Sequence, residues 1–235
     1  MNKKKERSIF SPLNISICVI LLYFIWPYFM NALVNMANIH GELALYMQLI
    51  ADFLLLGLIV FIYYNSIKED FKKLKTNFKK VALKSLAIFA IGLVLYTITS
   101  IIIVTLFPNI ESDNTNSLLN IFDNQPILLF ISTIFYYPII EELVFKKTFK
   151  DIINNKWAFI IITAILNASF EVLLSYNNLI NIVNIIPSFI LYATYSYMYY
   201  ESDSIVVPIA YRMLYNLIPN IATLLSIGTI LTLCH

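Results

Sequence analysis

The stretch PIIEELVFKK, residues 138–147, sets two adjacent carboxylates, Glu141 and Glu142, inside a run otherwise apolar enough to enter lipid. Its surroundings decide how it is to be read. The chain has 235 residues, of which 60% are hydrophobic and 13% charged, about half the charged share of an ordinary soluble domain. A helix that crosses a bilayer needs about 20 consecutive, mainly apolar residues. Stretches of this kind are expected at 13–34, 43–64, 81–107, 126–145, 158–175, 179–200, 205–217 and 220–233, the last two short. The expected fold class is therefore all-α, a polytopic membrane helix bundle of about eight transmembrane helices. A net charge of +2 is too small to suggest nucleic acid as a partner; the partner that composition names is the lipid bilayer.

The basic residues orient the bundle. Lys3, Lys4, Lys5 and Arg7 precede the first span. Lys68, Lys72, Lys73, Lys75, Lys79, Lys80 and Lys84 lie around the second loop, and Lys146, Lys147, Lys150 and Lys156 around the fourth. Fifteen of the sixteen basic residues thus fall on one side, which the positive-inside rule makes cytoplasmic. With eight spans both termini are expected there, and the first span reads as a retained signal anchor. The aromatic residues Trp157, Tyr63, Tyr64, Tyr199 and Tyr200 fall where the same interface is expected. Cys18 and Cys234 lie far apart in apolar surroundings and are expected to be small buried hydrophobes.

The sixteenth basic residue, Arg212, is inside a span, and so are four acids, Asp52, Glu141, Glu142 and Glu171. A charge at the bilayer centre costs at least about 2.5–3.5 kcal/mol, so such groups are expected to pair or to face a polar cavity. At a rise of about 1.5 Å per residue, Glu141 lies roughly 6 Å and Arg212 roughly 10 Å inside the cytoplasmic edge, whereas Glu171 lies roughly 20 Å deep. The glutamate pair is therefore the expected partner of Arg212, with Glu171 a looser member of the same pocket. Asp52, alone in the second span, is expected to be a satisfied structural acid. Asn216, four residues after Arg212, shares its helix face. Pro138 is placed either to open a polar pocket beside the carboxylates or simply to bend the helix. Tyr136, Tyr137 and Tyr192 are placed either to line a substrate cavity or, the commoner fate of such residues, to pack against lipid or helices.

In their order along the chain these residues resemble the CAAX-protease and bacteriocin-processing family of intramembrane proteases, also called the Abi or CPBP family. That family carries a Glu-Glu-x-x-x-Arg motif, then a Phe-x-x-x-His motif on the next helix, then a His-x-x-x-Asn or Asp motif on a later one. The matching stretches here are EELVFK from Glu141 to Lys146, FEVLL from Phe170 to Leu174, and RMLYN from Arg212 to Asn216. The resemblance covers about 120–235 and divides the chain. Residues 1–119 hold spans one to three with the basic loop, and 120–235 hold a family-like core of spans four to eight. It implies a conical polar cavity open toward the cytoplasm and a glutamate-activated water assisted by histidines.

The departures from the family pattern shape the functional expectation. Lys146 replaces the motif arginine, Leu174 the first histidine and Arg212 the second. Leucine neither binds metal nor moves a proton, and a guanidinium has donors but no lone pair. Zinc normally takes about three protein ligands and an open position, so no cofactor is expected and family-type zinc is disfavoured. The leading expectation is a catalytically degenerate member in a bacterial plasma membrane. It would serve as a scaffold, immunity factor or regulator that binds a membrane-embedded peptide or a membrane protein partner. The alternative is an active endopeptidase in which Glu141 or Glu142 activates water, Arg212 stabilises the oxyanion, and Glu171 and Asn216 complete the site. A transporter is a third class, less favoured because the chain has four glycines and no internal repeat.

Overall fold

Long apolar runs that cannot solvate their own backbone polar groups in lipid must close them within helices, and helices are what the chain forms. The computed structural model describes residues 12–108, 126–150, 152–175 and 179–233. Among these residues the elements in order are α1 (Pro12–Met36), α2 (Glu42–Thr76), α3 (Phe78–Leu106), α4 (126–150), α5 (Lys156–Ser175), α6 (Ile185–Ser202) and α7 (Val206–Leu233). A short 3-10 turn, Leu179–Asn184, leads into α6, and the described residues contain no strand. The expected break near Pro219 is absent: α7 continues through that proline as one helix of 28 residues. Its length, about 42 Å at 1.5 Å per residue, suffices for one tilted crossing.

Helices α1, α2 and α3 are each long and apolar enough to cross a membrane. Their outward faces are hydrophobic: Phe61 is 81% and Leu83 72% exposed, an apolar girdle suited to acyl chains rather than water. Cys18 is exposed on α1, not buried as expected; Cys234 lies outside the described residues. Helix α2, with 35 residues, is about 52 Å long and outruns a hydrocarbon core of about 30 Å. Its final turns carry the lysines of the basic loop.

Inside the bundle, α5 and α6 run alongside each other, and α3 covers the opposite side of α6. The approach of α3 to α6 depends on Gly92, where an added Cβ would lie 2.8 Å from the Thr194 Cβ. One core cluster joins α1, α2, α4 and α5 around Ile59, Ile140, Leu143 and Phe159. A second joins α5 and α6 around Ala164, Ala168, Tyr195 and Met198. Between α5 and α6 the Thr163 and Ser196 hydroxyls hydrogen-bond at 2.8 Å.

The lysine-bearing end is tied together by charge. Lys84 pairs with Glu201 at 2.5 Å, Lys156 pairs with the same carboxylate, and Lys73 pairs with Asp203 at 2.6 Å. Asp203 ends α6 in the left-handed region at φ 48°, a conformation aspartate tolerates better than most residues. Asp70, near the end of α2, accepts the Ile205 backbone N–H at 3.0 Å and so caps the start of α7 from another helix. Lys147 stands 3.7 Å from the same carboxylate. Lysines expected to mark a solvated loop thus staple five helices, α2 to α6. Beyond the Tyr199–Tyr200 interface, hydrogen bonds from Lys156 and Lys84 hold the Glu201 carboxyl below its usual pKa range.

Two predictions follow from these contacts. Gly92→Ala should force α3 and α6 apart and cost about 1–3 kcal/mol, read as a lower unfolding midpoint in detergent; an unchanged midpoint would contradict the close approach. Glu201→Gln should also lower the midpoint at neutral pH. Because the folded pKa of Glu201 is depressed, its contribution is present above the unfolded carboxylate pKa and is lost as pH falls through the folded one. The gap between variant and parent should therefore close on acidification and shrink in high salt.

Candidate functional site

Helix α4 is not regular, and its irregularity sets the glutamate pair. Tyr137–Glu142 is a short α-helical piece between two π turns, Ser132–Tyr136 and Leu143–Lys147. Pro138 has no N–H to offer its preceding turn. Just before it, the Tyr137 N–H reaches back to the Ser132 carbonyl. After the pair, the Thr148 N–H reaches back to the Leu143 carbonyl, which also accepts the Thr148 hydroxyl at 3.1 Å. Each π turn adds a residue to the helical circuit and so rotates the Glu141–Glu142 segment relative to both flanks. The Tyr63 hydroxyl, 2.8 Å from the Thr148 hydroxyl, docks this end of α4 on α2.

Arg212 reaches the rotated segment from α7. Its Nη2 donates to Glu141 and, at 3.0 Å, to the Tyr192 hydroxyl; its Nη1 lies 3.4 Å from the Glu142 Oε1. The same Glu142 oxygen takes the Lys146 ammonium at 2.5 Å. Arg212 is 6% exposed, and Glu142 and Lys146 are 0% exposed. The carbon at the centre of the guanidinium sits 4.9 Å from the Tyr192 ring centroid, and the Lys146 ammonium 5.6 Å from the same ring. Two carboxylates and two cations therefore balance in the interior, with an aromatic face shared between the cations. Lys146 is no loop residue but a buried member of this quartet.

Asn216 continues the site one turn along α7. Its amide donates to the Thr133 carbonyl at 2.7 Å, inside the first π turn of α4, and its backbone carbonyl accepts Asn220 at 2.6 Å. The Thr133 hydroxyl closes the loop onto the Asn220 side chain at 3.1 Å. The polar groups of α7 thus register the irregular part of α4 against a straight helix.

A cavity of about 730 Å³ begins at Glu141, Arg212 and Asn216. Its walls come from the later half of α1, the early half of α2, the end of α5 and the early half of α6. It extends away from the lysine-bearing end, opposite to the expected direction. Glu171 borders it but stands beyond ion-pair distance of any basic side chain among the described residues. Glu171 also borders a smaller cavity of about 260 Å³ between α3 and α6, so it stands where two chambers meet. The side chain of Leu174 lies outside the described residues.

Sequence reasoning paired Glu141, Glu142 and Arg212 and placed Glu171 nearby, as found. It offered Tyr192 as a cavity-lining residue, which it is, but not as a partner of Arg212; it set Asp52 apart from the site and did not foresee that Lys146 is buried on Glu142. Asp52 accepts Gln48 at 3.0 Å on its own helix and faces the large cavity. Its signal was present in the i, i+4 spacing from Gln48, which aims two polar groups at one face of a lipid-length helix. Tyr192 carried no signal that set it apart from packing tyrosines. Among the described residues no group of three or more His, Cys, Asp or Glu side chains is arranged to hold a metal ion.

Residues 123–218 match the family model described as type II CAAX prenyl endopeptidase Rce1-like. The match supports CAAX-protease family membership and covers every motif position named above. No curated protein and no solved structure matches the chain.

Asn216→Leu should remove the amide hydrogen bond to the Thr133 carbonyl and cost about 0.5–1.5 kcal/mol of unfolding free energy. Chemical denaturation in detergent measures it, and a neutral result would contradict the registering role of Asn216.

Proposed function

We propose that this chain, whose residues 123–218 match the CAAX prenyl endopeptidase family, is a multi-pass membrane protein that binds a membrane-embedded peptide segment without cleaving it. It would act as a scaffold, immunity or regulatory factor in a plasma membrane. The topology that fits α7 as one helix is seven crossings. The lysine-bearing end then lies in the cytoplasm and the far end of α7 on the opposite face.

The observation that carries this reading is the contact of Arg212 with both glutamates. A glutamate that activates water needs a free lone pair directed at that water. Glu141, the member of the pair that borders the chamber, gives one oxygen to the guanidinium, and Glu142 holds both Arg212 and Lys146 on its Oε1 while its partnerless Oε2 is fully buried away from the chamber. The donor set is equally unsuited to zinc. Glu141 and Glu142 already pair with a guanidinium and an ammonium, Asn216 is turned to the Thr133 carbonyl, and the guanidinium lies between the carboxylates. What remains is a membrane chamber with a rigid polar floor, suited to holding a chain segment.

The test is an assay of the purified protein in detergent against prenylated and leader-type peptides, beside Glu141→Ala. The expected result is binding without product in both proteins. Cleavage by the parent that Glu141→Ala abolishes would overturn the reading in favour of the glutamate-water endopeptidase.

A further inference from the structure

The floor of the large cavity is charge-balanced, but its walls are not. Three carboxylates border the chamber, those of Glu141, Asp52 and Glu171, against one guanidinium, Arg212. Arg212 is committed to the glutamate pair. The Lys146 ammonium is fully buried on Glu142 and does not border the chamber. Asp52 and Glu171 therefore face the chamber from opposite helices, α2 and α5, with no basic side chain within 4 Å among the described residues.

Between these two acids the walls are aromatic, with Tyr23, Trp26, Tyr28, Tyr136, Phe170 and Tyr215 among them. Ring faces attract a cation most strongly where water is scarce. A second observation points the same way. Tyr195, 0% exposed, is one of the residues that line the chamber, and its hydroxyl has no hydrogen-bond partner. A wall residue with an unused buried acceptor suits a donor group brought in by a ligand. The mouth faces lipid: Phe24 and Tyr28 border the chamber yet are 40% and 77% exposed on α1. An occupant can therefore enter sideways from the bilayer, and the volume admits a few side chains rather than a folded domain.

The geometry points to a chamber selective for an apolar peptide segment that carries one lysine or arginine side chain. That cation would sit against one of the two acids, Asp52 or Glu171, on the aromatic walls. The inference rests on the peptide-binding reading above and names the substrate class of the same cavity. The ligand's charge supplies the partner that both carboxylates lack, while its apolar flanks remain in contact with aromatic surface or lipid. A neutral segment would offer neither acid a cationic partner, and an acidic one would bring a further carboxylate to a wall that already has them.

The test uses the full chain in a neutral maltoside detergent and three fluorescent apolar peptides, identical except for lysine, norleucine or glutamate at the centre. Binding is read by fluorescence anisotropy. The lysine peptide should bind at least about tenfold more tightly than the norleucine peptide, and the glutamate peptide most weakly. At least one of Asp52→Asn and Glu171→Gln should lower the lysine-to-norleucine preference at least about threefold. Equal affinities for the three peptides in the parent, or a preference that both variants leave intact, would overturn cation selectivity while sparing the peptide-binding reading. Binding of none of the three would overturn both.

Discussion

A guanidinium that cannot shed its proton sits inside a membrane bundle between two neighbouring carboxylates, and the rest of the site is arranged around that fact. The isolated cation would cost several kcal/mol in a dry interior. Glu141 and Glu142 repay that cost only if α4 presents both toward α7, and the paired π turns make it do so. Two acids against one arginine would leave a surplus charge, which Lys146 balances from the next turn of α4. Tyr192 then fills the remaining space with a ring face toward both cations and a hydroxyl on the guanidinium. Each of these residues has a reason that begins with Arg212.

The same arrangement separates this site from one built for hydrolysis. An imidazole at position 212 would alternate between donor and acceptor and leave a carboxylate free to poise water. A guanidinium is a permanent donor, and it fixes the glutamates as acceptors. On the proposed reading, the exchange replaces a reactive centre with a polar floor. Above that floor lies a chamber with aromatic walls and two further acids, better matched to holding a charged, apolar chain than to cutting it.

Much of this was legible in the sequence, because lipid makes charge placement costly and therefore informative. Helical class followed from the long apolar runs, and the convergence of Glu141, Glu142 and Arg212 followed from depth along their helices. What could not be read arose where a local rule was overridden by a neighbour. Pro219 suggested a break, yet α7 runs through it, since a proline in a membrane helix costs little where adjacent groups take up the freed carbonyl. Lys146 and Lys147 counted as loop cations because positive-inside bias does not distinguish a headgroup lysine from one turned inward to an acid. The π turns have no simple sequence mark beyond Pro138, so the rotation that aims the glutamates was hidden. The direction of the cavity depends on which helix halves splay apart, and that is a property of packing between helices rather than of any one stretch.

The account depends most directly on energetic coupling between Arg212 and Glu141. A double-mutant cycle of Arg212→Met, Glu141→Gln and the pair, followed by reversible unfolding in detergent, measures it. Contact in the interior predicts a coupling of about 2 kcal/mol or more, since each single change leaves a buried charge with reduced compensation and the pair removes both. Additive effects, with a coupling within about 0.5 kcal/mol of zero, would mean that the guanidinium is not held by the glutamate pair, and the account would fail at its base.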